Sequence, residues 1–377
     1  MARNTEFYKG RRKRRNTILV PTAIVLGVIS LIVVLFYGMQ KYAVITKEEV
    51  AVRLPFLTGE ENPMGAGESE TAALERVEAS VVFDPPDYSG VETVVDGNIQ
   101  PLRAIFVHAA DINTQKLNEY AGRLQRGNAL VLEMKPATGY LMWDSRAGAA
   151  VSFGLSGNPL PEDVKETLRR LHDEEGVYLV AQIHVCRDNL YASRSTTVAL
   201  TNEYGAAYSD ENGPWLDAYS LDVRRYTVEL VRELYDMGFD EVVLASVCHP
   251  TLEEGVTLGY TREMSTTPGS VNAVCGFAVY IAQELADREG KLSIYVDSAP
   301  SLVRADTNTG QDARLFLKLF DRVYYNTDRY AYTFNMDDIR GSVTVGKPED
   351  RFVPVVINYL PDHSTEVSWV LIDLEES

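Results

Sequence analysis

The polar groups of this chain that could do chemistry fall at the ends of apolar runs. Glu133 and Lys135 close 129–135 (ALVLEMK), and His184 is next to last in the run 177–185 (VYLVAQIHV), with Arg187 just beyond it. His249 follows 241–248 (EVVLASVC), Asp297 ends 291–297 (KLSIYVD), and Asn326 falls in 321–327 (DRVYYNT). A carboxyl at such a position can be raised in pKa by a low-dielectric interior and donate a proton, while a second, ionised carboxylate attacks or activates water. Glu133 is the candidate acid and Asp297 a candidate partner. Asp328 and Asp362, just beyond later runs, offer the same group. Each of the three aspartates has a plain alternative as a solvated loop acid or helix cap. Alternation puts Val131, Glu133 and Lys135 on one face, so Glu133 and Lys135 can equally form a structural ion pair. Lys135, His184, Arg187, His249 and Asn326 are candidates to bind a substrate. Among the loop aromatics, Trp143 and Tyr191 are candidates to stack on a flat apolar face, the alternative being that they pin their loops to the core.

A strand framework must position these groups. Eight candidate strands run over 103–108, 129–135, 177–185, 241–248, 291–297, 321–327, 352–359 and 367–373. Most are continuously apolar, as expected when both faces of a parallel sheet are buried. Helix patterns lie near 113–126, 161–175, 219–237, 270–289 and 311–320, with Glu162 and Asp163 in a first turn and Ser270 as an N-cap candidate. The alternating order predicts an α/β chain closed as a (β/α)8 TIM-type barrel over 101–377, irregular in its last third, where only a short helix fits near 335–340. The connections 136–160, 186–218 and 250–269 leave the C-terminal ends of strands and are long enough to wall a groove.

Before the barrel the sequence changes character. Residues 1–16 hold seven basic residues and one acid, and Thr17–Tyr37 is free of charge. As a helix that stretch spans about 31 Å, enough for a hydrocarbon core of about 30 Å. A transmembrane signal-anchor over 17–38 is therefore expected, with a cytoplasmic N-terminus and everything after Lys41 extracytoplasmic. A cleaved signal peptide is the alternative, although no small-x-small site follows the run. Residues 39–100 are acidic and Gly/Pro-containing and suggest a stalk. The net charge of −18 becomes −24 for residues 17–377 (29 basic, 53 acidic), which argues against nucleic acid or anionic lipid as a partner of that part. Three cysteines (Cys186, Cys248, Cys275) are too few for a disulfide framework, though the strand ends would allow one bridge between Cys186 and Cys248. No metal-ligand spacing and no cofactor motif is present, so neither a metal nor a cofactor is expected. His184, Cys248 and His249 invite a Cys/His pair, yet neighbours on a strand face opposite ways unless the strand has ended first.

Several stretches together resemble a family of extracytoplasmic glycoside-hydrolase-type barrels labelled DUF4015. They are 129–135; His172-Asp173-Glu174-Glu175-Gly176-Val177-Tyr178-Leu179-Val180-Ala181; Arg187-Asp188; Trp215-Leu216-Asp217-Ala218-Tyr219; and Gly310-Gln311-Asp312. The likeness runs from about 103 to 360. It implies a TIM barrel that acts on sugars, a glycan or cell-envelope polysaccharide as partner, and a site role for Asp188 as a catalytic carboxylate. Glycoside cleavage needs two carboxylates about 5 to 9.5 Å apart. The chain departs from the family where Gly238-Phe239-Asp240-Glu241 opens the fourth strand: the family's second Asp, its Tyr and its Arg are here Ala245, Ser246 and Cys248. Three readings stay open: a glycan-binding barrel that has lost catalysis, an active glycosidase built on Glu133 and another mouth carboxylate, and a structural or protein-binding envelope component.

Overall fold

The computed structural model describes residues 43–45, 50–52, 90–91, 95, 99–124, 128–252, 256, 258–259, 269–326, 340–341, 343, 345–360 and 365–373. The chain divides into two units, Met1–Val81 and Val82–Ser377. Of the first, an antiparallel pair, Ala43–Ile45 with Val50–Val52, is described. Thr17–Tyr37, Asp328, Asp362 and the short helix expected near 335–340, apart from Arg340, lie outside the described residues. Among the described residues no helix is long and apolar enough to cross a membrane.

The second unit is a closed barrel of eight parallel strands in chain order: β1 Arg103–Val107, β2 Ala129–Lys135, β3 Tyr178–His184, β4 Glu241–Ala245, β5 Lys291–Val296, β6 Arg322–Asn326, β7 Phe352–Ile357 and β8 Trp369–Ile372. All eight expected strands are present. β8 closes onto β1 through the register Val370↔Ala104, so the short last connection does not prevent closure. The apolar runs have two burial partners. Phe106, Val131, Val180, Val243, Tyr295, Val353 and Val370 fill the barrel interior. Alternate residues such as Leu130, Leu132, Leu179, Leu244 and Ile294 pack outward against the helices. This two-sided burial is why the strands lack a polar face.

The main helices are α1 Thr114–Arg123, α3 Glu162–Asp173, α5 Leu221–Asp236, α6 Ser270–Glu284 and α8 Ala313–Leu319, joined by the short α2 Gly148–Phe153, α4 Asn189–Arg194, α7 Pro300–Val303 and α9 Pro348–Arg351. α5 shows how they dock. It buries Val223, Tyr226, Thr227, Leu230, Val231 and Leu234, a stripe at helical spacing. It ends at Gly238, whose φ of 95° is open to glycine at no steric cost, so the chain can turn back into β4. The caps differ from expectation at α6. Gly269 is its N-cap residue, and Ser270 is already helical, with its Oγ donating to the Thr307 carbonyl.

The unit also reaches further toward the N-terminus than residue 101. Val95 and Ile99 are buried, and the Gln100 carbonyl accepts from Arg322 Nη2 at 2.8 Å.

Candidate functional site

Strand parity decides which side chains meet at the C-terminal mouth. Residues in step with the interior set are His108 just past β1, Glu133 on β2, His184 on β3, Ala245 on β4, Asp297 just past β5 and Asn326 on β6. Registers place Glu133 beside Gln182 and His184 beside Ala245. Glu133 Oε2 accepts the Ala109 N–H at 3.0 Å and lies 3.7 Å from His108 Nδ1, while Oε1 faces His184 Nε2 at 3.7 Å. Burial pushes the Glu133 carboxyl up, but its His184 and Ala109 partners and the charges of His184 and His108 prevail, holding it below its usual range. Glu133 is therefore a carboxylate rather than a reservoir of protons.

On its other side His184 Nδ1 meets Ser246 Oγ at 2.8 Å. Ser246 follows the last residue of β4 and has φ 52°, a left-handed conformation that side chains other than glycine rarely adopt. β4 thus stops three residues earlier than its sequence suggests. The early stop lets Ser246, Cys248 and His249 all line one cavity, which regular alternation would forbid. This cavity, about 570 Å³, is walled by the connection after β3 (Arg187, Tyr208, Asp210, Asn212, Trp215) and the one after β4, with Asp297 and Thr309 opposite. The two connections are stitched together by the pair Thr201–Asn202 with Leu258–Gly259. The Arg187 guanidinium lies 5.8 Å over the Trp215 ring, and Trp215 Nε1 donates to Asp210 Oδ2 at 2.9 Å.

Asp297 is fixed by a residue whose role the sequence did not disclose. Gln311 Nε2 donates to Asp297 Oδ2 at 2.8 Å, and Gln311 Oε1 accepts the Asp297 N–H at 2.8 Å. Gly310 before it has φ 80°, and a Cβ there would meet the Ser270 carbonyl oxygen at 2.4 Å. Asp312 after it caps α8 through the Arg314 N–H at 3.0 Å. The Gly-Gln-Asp triplet is thus a turn, a positioning amide and a cap. Desolvation raises the Asp297 carboxyl against the hydrogen bonds from Gln311 and the Cys248 thiol and the charges of His184 and Arg187. The residue is hemmed in by protein yet exposed to the groove, so water moderates the rise. Glu133 and Asp297 are pushed in opposite directions.

Four expected site residues are sealed away instead. Asp188 and Lys135 form an ion pair at 2.9 Å, with side chains 0% and 1% exposed, so no substrate can touch them. Asp188 also caps α4 through the Tyr191 N–H at 2.9 Å. The register shift between Glu133 and Lys135 is what takes Lys135 to Asp188 and leaves Glu133 to the histidines. Trp143 is buried and donates its indole N–H to Glu233 Oε2 at 2.7 Å; Tyr191 is buried between Phe153 and Tyr226. Neither ring is open to a sugar.

His249 is buried on the groove wall, and burial lowers it to about 4, so it is neutral at pH 7. Asn326 is exposed on the rim. The three cysteines are buried and form no disulfide; burial raises the Cys186 thiol to about 12 and the Cys248 thiol well up. Neither is an activated nucleophile. Among the described residues no cluster of three or more His, Cys, Asp or Glu side chains is set to hold a metal.

The closed parallel barrel carries a carboxylate, a histidine and a loop-walled groove at its C-terminal mouth, and its family match makes it a glycoside-hydrolase-like barrel. The chain belongs to the DUF4015 family, described as "Putative glycosyl hydrolase domain", whose model matches residues 104–327. No curated protein sequence matches it. Similar solved structures include a hypothetical protein from Ruminiclostridium thermocellum (20% identity, 50% of this chain and 96% of that one, TM-score 0.43). Others are the PgaB (BpsB) glycoside hydrolase domain from Bordetella bronchiseptica (12%, 72% and 94%, 0.49) and a chitinase from Chromobacterium violaceum (14%, 69% and 69%, 0.39).

Proposed function

We propose that this protein is a membrane-anchored, extracytoplasmic barrel that binds a glycan of the cell envelope in its mouth groove without cleaving the glycosidic bond. The observation that carries the reading is the contrast at the mouth. Strand four presents Ala245 where the family resemblance leads one to expect an acid, while the groove beside it is lined by Arg187, Asp210, Asn212 and Asp297. Such a set of fixed hydrogen-bonding groups suits a polyhydroxylated ligand. The anchor rests on the uncharged stretch Thr17–Tyr37 behind a basic segment, which orients the barrel outward.

A second reading has one specific observation in its favour. Glu133 is held low and Asp297 is raised, and two carboxyls pushed apart in this way can divide the roles of base or nucleophile and acid. The full-length chain in detergent, tested on a polysaccharide panel for binding and for release of reducing ends, separates the two. Binding without release is expected. Release that is abolished in both Glu133→Gln and Asp297→Asn would establish the glycosidase instead.

A further inference from the structure

The residue just past the fourth strand is a serine in contact with a histidine. Ser246 Oγ is 2.8 Å from His184 Nδ1, and the opposite ring nitrogen faces Glu133 Oε1 at 3.7 Å. Glu133 Oε2 is tied to the Ala109 N–H, so its other oxygen stays turned to the imidazole. Ser246 sits in a left-handed backbone at a sharp exit from its strand and lines the groove. A strained residue at a strand end that lines a cavity and holds its hydroxyl against a histidine is a functional signal.

The amide beside the ring can set its tautomer. Gln182 Nε2 is 3.5 Å from His184 Nε2, while Gln182 Oε1 is buried without a partner. Exchanging the two amide atoms, which hydrogen-bonding logic alone decides, places an acceptor there and a proton on Nε2. Nδ1 is then the lone pair that accepts the Ser246 proton. Arg187 lines the same groove as Ser246 and its Nε is buried without a partner, so it is a cation that a developing oxyanion in the groove could draw on.

We infer that Ser246, His184 and Glu133 form a nucleophile, base and positioning carboxylate for hydrolysis of an acyl ester. That the ester is an O-acyl group on a glycan rests on the function proposed above. Ser246 Oγ attacks the acyl carbonyl carbon as its proton passes to His184 Nδ1. The alkoxide then leaves with that proton as the free sugar hydroxyl, giving an acyl-serine. Water, deprotonated by the same nitrogen, attacks the acyl-serine, and the carboxylic acid departs as Ser246 recovers its proton. No oxidant, metal or co-reactant beyond water is needed. Glu133 touches no reacting atom; it orients the ring and offsets the imidazolium charge.

The test uses the full-length chain in detergent, with 4-nitrophenyl acetate as the substrate probe and a fluorophosphonate as the serine-directed label. Peptide mass spectrometry is expected to place the label on Ser246. Ser246→Gly, which suits the φ of 52° and so keeps the backbone, should lose labelling and at least ~100-fold of kcat/KM, and His184→Gln should lose a similar amount. Glu133→Gln should lower kcat with KM unchanged, a split that a merely structural carboxylate would not give. An unlabelled Ser246, or hydrolysis by Ser246→Gly at the parent rate, overturns the assignment. Because the probe carries no sugar, esterase activity in a chain that binds no polysaccharide would sink the glycan reading while leaving this one standing.

Discussion

The two ends of the barrel interior carry similar residue types put to opposite uses. At the N-terminal end Glu241 accepts from Ser293 Oγ at 2.6 Å, Tyr324 Oη at 2.9 Å and Tyr178 Oη at 3.2 Å, and pairs with Arg322. Glu241 and Ser293 are fully buried, and every oxygen of the carboxylate is used. At the C-terminal end Glu133 keeps one oxygen at ion-pair distance from an imidazole, Asp297 opens onto the groove, and Ser246 is held in strain. A buried charge that is completely solvated by protein stiffens a barrel, whereas one with unspent hydrogen-bonding capacity is available to a ligand. The difference is one of saturation rather than of residue type.

That comparison can be broken most severely at its closed end. Glu241→Ala leaves Arg322 buried and unpaired and should cost about 3 to 5 kcal/mol, seen as a large fall in thermal midpoint. A variant as stable as the parent would deny the bottom cluster its structural role. Asp188→Ala should follow closely, at about 3 kcal/mol, because Lys135 loses its partner and α4 its cap. If it abolished ligand binding at full stability, the buried pair would belong to the site after all.

His249 provides a pH test of intermediate size. Its folded pKa of about 4 lies below its ordinary value near 6.5, so the unfolded chain takes up the proton first as pH falls. Its contribution is intact above about 6.5 and is lost progressively as pH drops toward 4. Melting curves at pH 7 and pH 5 should show a smaller acid penalty in His249→Gln than in the parent; equal penalties would contradict the buried neutral ring. The smallest change is expected from Trp143→Phe, which gives up the bond to Glu233 for about 1 kcal/mol and should leave ligand binding untouched. Weakened binding at unchanged stability would return Trp143 to the groove.

The barrel itself was readable because its signal is redundant. Eight apolar runs, each buried on both faces, spaced by helices such as α5 with its stripe and terminal glycine, admit few other arrangements. The strand ends also marked Glu133, His184 and Asp297 as mouth residues, though that they share the interior face came only with the registers. Strand parity failed where the backbone departs from regularity. The register shift after Glu133 sent Lys135 to Asp188, and the left-handed turn at Ser246 ended β4 early and brought Ser246 beside His184. A strand pattern carries no mark of either event. Gln311 had a signal, its place in a Gly-Gln-Asp triplet, but not the reason: an amide reaching across to Asp297 is a contact between distant segments. Trp143 and Tyr191 went the other way, since a loop aromatic looks the same in sequence whether it faces a ligand or the core.

The most direct test of the open, ligand-facing mouth is titration of the full-length chain in detergent with cell-envelope polysaccharides, with binding and reducing ends followed in the same samples. The account predicts saturable binding that Arg187→Ala weakens by ~10-fold or more, with no reducing ends released, because a groove cation makes charge-assisted bonds of this size. Absence of binding across the panel, or release of reducing ends that Glu133→Gln abolishes, would contradict it.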